Sequence, residues 1–249
     1  MTQLNKKRLL GVNFSIGDYD QVVEIISRYC IEEEPLSVCL TPVHGIIESL
    51  DDLTFATALD SADMVLPDGQ PVRWALNAIH NTKLQDRVYG PELTKRLLAS
   101  FTAEFRGRLY LYGGATPEVL RDFTNYIHDT YPYVKVVGRF REPDIGKQTL
   151  KIDTIVAANP NLILVGTGCP IQEKWIVANA KKLNSPALGV GAAFSLLSGH
   201  LNMAPTSMQN MGLEWLYRLM KEPKRLWKRY LYTNSRFILE LIRFKLGKS

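Results

Sequence analysis

Short runs of aliphatic, β-branched and aromatic residues recur along the chain, separated by longer stretches whose apolar positions have helical spacing. Six runs predict strands, over 36–40, 64–66, 108–112, 134–137, 162–165 and 187–190. Before and between them the spacing predicts helices over 18–29, 72–79, 91–103, 117–130, 147–158 and 172–183. Asp18, Thr116 and Asp144 stand where an N-cap or first-turn residue belongs. Strands alternating with helices of about ten residues or more need right-handed crossovers. The expected fold is therefore α/β, a mostly parallel sheet with helices on both faces. No solenoid repeat or low-complexity linker interrupts it. The alternation stops near Leu201, which divides the chain into an α/β body over 1–200 and a helical, basic C-terminal appendage over 201–249.

With 249 residues, 46% hydrophobic and 22% charged, the chain can bury a core, which excludes a disordered, collagen-like or disulfide-stapled protein. Cys30, Cys39 and Cys169 form an odd, sparse set that fits a reducing compartment. The opening MTQLNKKRLL holds no apolar run of signal-peptide length. The longest uncharged segment, 183–213, is broken by Asn184, Pro186, His200 and Pro205, so its apolar part falls short of the ~20 residues of a spanning helix. A soluble or peripheral protein is expected.

Charge changes the picture more than composition does. The net +5 is unevenly spread: residues 214–249 carry ten Lys and Arg against three acids, a net +7, which leaves −2 on the rest. In this tail Leu216, Leu219, Met220, Trp227, Tyr230 and Leu231 recur at helical spacing among Arg218, Lys221, Arg225, Lys228 and Arg229. Pro223 should end one helix and open another, and 237–246 is strongly apolar. Basic, Trp-containing amphipathic helices suit a membrane interface with anionic headgroups. A helix packed on its own domain is the plainer reading. Nucleic acid is not expected as a partner, because the apolar share is high for such a patch.

In a Rossmann-like sheet, ligands bind beyond the carboxyl ends of the strands. Those ends lead into Thr41-Pro42-Val43-His44-Gly45, Pro67-Asp68-Gly69, Gly113-Gly114-Ala115-Thr116, Gly166-Thr167-Gly168-Cys169 and Gly191-Ala192-Ala193. Three of these turns, with Gly113, Gly114, Gly168 and Gly191, open helices, and their N–H groups suit an anion such as a diphosphate. Any fold of this class needs some glycines there, but three such turns on one edge favour a phosphorylated ligand. Asp68 is a candidate general base or, alternatively, an N-cap. Gln172 is placed to hydrogen-bond a sugar hydroxyl or phosphate, while Glu173 complements a helix dipole. Arg87 either neutralises a phosphate or pairs at the surface with Asp86 or Glu92. His44 follows a strand end and is in reach of a ligand.

Metal chemistry is not expected, and neither is a cofactor. Asp18-Tyr19-Asp20 has the spacing with which many nucleotide-sugar enzymes hold a divalent ion, yet it opens a helix, which favours capping. The histidines and cysteines lack zinc-site spacing. Gly189-Val190-Gly191-Ala192-Ala193-Phe194 puts Phe where a dinucleotide fingerprint needs its third glycine.

Several motifs occur in order: Ala62-Asp63-Met64-Val65-Leu66-Pro67-Asp68-Gly69, Gly166-Thr167-Gly168-Cys169-Pro170-Ile171-Gln172-Glu173-Lys174-Trp175, Gly189-Val190-Gly191-Ala192-Ala193-Phe194, Gly212-Leu213-Glu214-Trp215-Leu216-Tyr217-Arg218-Leu219 and Glu222-Pro223-Lys224-Arg225-Leu226-Trp227-Lys228-Arg229-Tyr230. With them the chain closely resembles the WecG/TagA/CpsF family of glycosyltransferases (family 26), from about residue 9 to residue 232. The resemblance implies an inverting, metal-independent transfer from a UDP-sugar to a polyprenyl-diphosphate-linked saccharide. The donor would be UDP-N-acetylmannosamine, its uronic acid form or UDP-glucose. The enzyme would sit at the inner face of the cell membrane and serve teichoic acid, enterobacterial common antigen, capsule or exopolysaccharide synthesis.

The same resemblance makes Asp68 the catalytic base and Thr41 a polar residue of the pocket. It puts Arg87 and Gln172 near the donor, and sets Arg218, Arg225 and Lys228 against the lipid diphosphate. Three segments depart from the family pattern. Val43 replaces a frequent asparagine, Gly90-Pro91-Glu92-Leu93 replaces Gly-Ser/Thr-Asp-Leu, and Met203-Ala204-Pro205 replaces Arg-Ala-Pro. Lys228 also stands where Arg can occur, which loses bidentate recognition. A non-catalytic UDP-sugar-binding module and a nucleic-acid binder are the alternatives, and a homo-oligomer is left open.

Overall fold

In the computed structural model, which describes residues 4–141 and 152–247, the chain opens with an antiparallel hairpin of β1 (Asn5–Leu9) and β2 (Val12–Ile16). The six expected strands follow: β3 (Leu36–Thr41), β4 (Met64–Pro67), β5 (Gly107–Gly113), β6 (Val134–Phe140), β7 (Leu162–Gly166) and β8 (Pro186–Gly189). They form one sheet in the order β4-β3-β8-β7-β5-β6, with every neighbouring pair parallel. Parallel pairing requires crossovers, and the helices supply them on both faces, giving the Rossmann-like α/β architecture.

Side-chain alternation divides each strand between the two faces. Val38, Leu40, Leu66, Leu109, Leu111, Leu164 and Leu188 pack into one cluster with α1 (Tyr19–Glu32), α5 (Gly90–Ala99) and α6 (Pro117–Thr130). On the other face Cys39 and Val65 join the hairpin's Leu9, Val12 and Phe14 under α2 (Val43–Asp51), α3 (Leu53–Ser61) and α4 (Gln70–His80). Tyr110, Tyr112, Ile163 and Val165 pack with α7 (Ile152–Ala158) and α8 (Ile171–Asn179). The predicted 172–183 helix ends early, at Asn179, and continues as a 3-10 turn over Ala180–Lys182. The predicted start at 147 and the cap Asp144 lie outside the described residues.

Asp18 closes a capping box with Gln21: it accepts the Gln21 N–H at 2.9 Å, and Gln21 accepts the Asp18 N–H at 3.1 Å. Thr116 likewise caps α6.

After β8 come α9 (Ala193–Leu197), α10 (Thr206–Asn210), α11 (Glu214–Lys221) and α12 (Pro223–Lys245), with Pro223 in the first turn of α12. Leu226, Thr233 and Phe237 are buried, and Leu241 and Phe244 pack partly, on the α12 stripe that faces α2. Arg236 pairs with Asp51 at 2.5 Å, and the Tyr232 hydroxyl donates to the same carboxylate at 2.9 Å. On another flank Trp227, Leu231, Ile238 and Ile242 are each about half exposed or more. No helix among the described residues is long and apolar enough to cross a membrane.

Candidate active site

At the carboxyl edge of the sheet, the Asp68 N–H donates to the Thr41 carbonyl at 3.2 Å, extending the β3–β4 pairing by one residue. Gly69, at φ +102°, then turns the chain into α4. The cap of α4 is Gly69, without a side-chain hydrogen bond, so the capping reading of Asp68 does not hold. Its carboxyl instead lines a cavity of about 890 Å³. Burial pushes its pKa up to about 6; Arg87 and Arg218 pull down, and Glu214 adds to the rise.

Arg87 is held beside this carboxyl because the next residue, Val88, donates its N–H to the Pro67 carbonyl at 2.9 Å. Only 6% exposed, its guanidinium lies over the Tyr89 ring at 4.3 Å. Its Nη2 is 2.5 Å from the Glu214 carboxylate of α11. The surface pairing with Asp86 or Glu92 is not what forms: Asp86 accepts the Arg87 backbone N–H, and Glu92 pairs with Lys95 and Arg96.

Gly113, Gly114, Gly168 and Gly191 all line the cavity and all have positive φ. Their N–H groups differ from expectation. Gly114 donates to the Gly166 carbonyl at 3.1 Å, while Gly168 and Gly191 both donate to Gln172 Oε1, at 3.3 and 3.2 Å. Buried donors need partners, and these three are satisfied inside the turns, so Gly114, Gly168 and Gly191 contribute an uncluttered floor rather than free amides. Gln172, 3% exposed, is the clasp between two turns, and its Nε2 donates to Glu173 at 2.8 Å. Glu173 stands in the first turn of α8, as a dipole partner should, but it is buried, and burial raises its pKa to about 7.

Thr41 is buried, and its Oγ1 has no hydrogen-bond partner among the described residues. Val43 and His44 line the cavity. Burial, then the Arg229 charge, lowers the His44 pKa to about 4, which keeps the ring neutral. Arg218 also lines the cavity, whereas Lys228 is exposed with its Nζ 5.5 Å from the Trp227 ring centre. The side chain of Arg225 is outside the described residues.

Four further residues at the cavity were not anticipated: Glu214, Arg229, Arg141 and His200. Arg141 donates to the Gly114 and Ala115 carbonyls at 3.2 and 3.1 Å, and His200 pairs with Asp122 at 2.8 Å. Glu214 carried a signal, as a lone acid within a basic, aromatic motif. The exposed Asp20 contacts Arg96 at 3.3 Å. Among the described residues no group of three His, Cys, Asp or Glu is placed to hold a metal ion.

The carboxyl edge of the parallel sheet thus brings together the raised-pKa Asp68 and Arg87, with Arg218 and Arg229 added from the C-terminal helices, a site suited to an anionic substrate. Over residues 7–249 the chain matches the glycosyl transferase WecG/TagA/CpsF family, and it belongs to that family. It is 34% identical over 212 residues to the N-acetylglucosaminyldiphosphoundecaprenol N-acetyl-beta-D-mannosaminyltransferase of Bacillus subtilis (strain 168), spanning 84% of this chain and 80% of that protein. The protein of the same name from Bacillus spizizenii (strain ATCC 23059 / NRRL B-14472 / W23) is 30% identical over 185 residues, 74% of this chain and 70% of that one. Its counterpart in Staphylococcus aureus (strain MW2) is 25% identical over 226 residues, 89% and 87% of the two chains. The protein is a glycosyltransferase.

Proposed function

We propose that the protein is an inverting enzyme that moves a sugar from a UDP-sugar to a polyprenyl-diphosphate-linked saccharide in cell-surface polysaccharide synthesis. The donor is of the UDP-N-acetylmannosamine type or UDP-glucose. The names of its relatives support an acceptor of the N-acetylglucosaminyl-diphosphate-polyprenol kind and transfer of N-acetylmannosamine. The observation that carries the chemistry is Asp68, an open carboxyl on a rigid strand end with a pKa near 6. Ionised at neutral pH yet more basic than an ordinary carboxylate, it takes the acceptor hydroxyl's proton. That oxygen bonds to the anomeric carbon as the bond to UDP breaks on the opposite side, which inverts the centre. Arg229 supplies positive charge to the leaving diphosphate, and Arg218 stands at the cavity for the acceptor's lipid diphosphate. Val43 presents an aliphatic surface where a side-chain amide would have offered hydrogen bonds to the donor sugar.

The 201–249 segment acts in this reading as the membrane-docking unit. The half-exposed Trp227, Leu231, Ile238 and Ile242, flanked by the exposed Lys224 and Lys228, support a peripheral seat on an anionic inner membrane face.

The deciding experiment is Asp68→Asn, assayed with UDP-N-acetylmannosamine and a short polyprenyl-diphosphate N-acetylglucosamine acceptor. UDP binding should persist while turnover falls about 100-fold or more. Wild-type turnover should rise with pH as Asp68 loses its proton near pH 6. Near-normal rates in Asp68→Asn would remove Asp68 from the role.

A further inference from the structure

The tail sends a carboxylate into the cavity, against an arginine that already has another carboxylate within reach. Arg87 has a 7% exposed side chain, and Glu214 has a 13% exposed one. A guanidinium this deeply buried must be paired, and both Glu214 and Asp68 act on it electrostatically. Glu214 holds the contact, at 2.5 Å. Tyr89 supports the arrangement by stacking its ring under the guanidinium at 4.3 Å, and its hydroxyl interacts electrostatically with Glu214. Gln209 Oε1 stands 3.5 Å from the same Nη2. Among the described residues no side chain donates a hydrogen bond to Asp68.

From this division of partners we infer that Glu214 is a positioning residue for the transfer: it retains the Arg87 guanidinium so that Asp68 stays unpaired and free to accept a proton. The inference rests on Asp68 being the base. Were Glu214 neutral, Arg87 would turn to the one carboxylate left, and a carboxylate in contact with a guanidinium is a poor proton acceptor. Asp68 faces Arg87 and Tyr89 ahead of α5, Glu214 and Arg218 on α11, Tyr19 on α1 and Glu173 on α8. His44 and Arg229 line the same cavity. Of these, Glu214 is the acid in contact with Arg87. Because Glu214 opens α11, the readiness of the base depends on the tail being seated.

The test follows the Asp68 carboxyl itself, by 13C NMR titration of aspartate-labelled full chain, with the signal assigned from its loss in Asp68→Asn. In Glu214→Gln the titration midpoint should move down from that of the wild type, toward the ordinary carboxylate range. Turnover should fall roughly tenfold while the donor KM and UDP binding hold. Glu214→Asp should recover most of the rate. Tyr89→Phe, which keeps the ring and removes the hydroxyl, should give a smaller shift in the same direction. An unmoved midpoint in Glu214→Gln and Tyr89→Phe would overturn the inference. Wild-type turnover by Asp68→Asn would instead overturn the base assignment, whatever the titrations show.

Discussion

A Cβ added to Gly113 would lie 2.6 Å from the Gly166 carbonyl carbon, and its φ of +115° is foreign to an L side chain. The backbones of β5 and β7 meet there at the cavity floor. Gly113→Ala should therefore cost about 2 kcal/mol or more, seen as a lowered Tm, and should weaken UDP binding as the floor shifts. At this scale the sequence was informative where one strand end decides a residue's place. Asp68 and the four glycines are found at the cavity for that reason. It was uninformative where partners come from afar. The contact of Arg87 with Glu214, and the turn-clasping role of Gln172, depend on three-dimensional neighbours that no local pattern encodes.

Among the elements, five of the six sheet strands were legible because a buried parallel strand is a continuous apolar run, and the edge strand β6 because of its β-branched Val134, Val136 and Val137. The β1–β2 hairpin was not, since four of the five β1 residues are exposed and polar or basic, without alternation. Helices α2 and α3 were missed for another reason: they follow one another with only Asp52 between them, so two short apolar periods of different phase run together in one stretch. The long helix α12 was visible, but its two apolar stripes merged into one composition. They separate by experiment. Phe237→Ala, on the α2-facing stripe, should cost about 3 kcal/mol of stability. Leu231→Glu with Ile238→Glu, on the exposed stripe, should leave the Tm near wild type and strip the protein from anionic vesicles in a flotation assay. Equal vesicle binding by that double variant would count against docking through this flank.

The whole molecule is electrically two-ended, +7 over residues 214–249 and −2 over the remainder. Attraction between exposed charges and an anionic surface is screened within about a Debye length, ~8 Å at physiological salt. Vesicle binding should therefore weaken steeply as salt rises, while turnover on a soluble acceptor analogue changes little. A salt-insensitive vesicle affinity would point to apolar insertion alone.

On α12, Arg229, Thr233 and Asn234 line the cavity, whereas Trp227 and Leu231 face outward. A single helix, about 10 Å across, is then all that separates the cavity from this outward apolar flank. If that outward flank is the docking face, the depth of Asp68 beneath the membrane is set by the width of one helix, and that depth decides how long an acceptor can reach it.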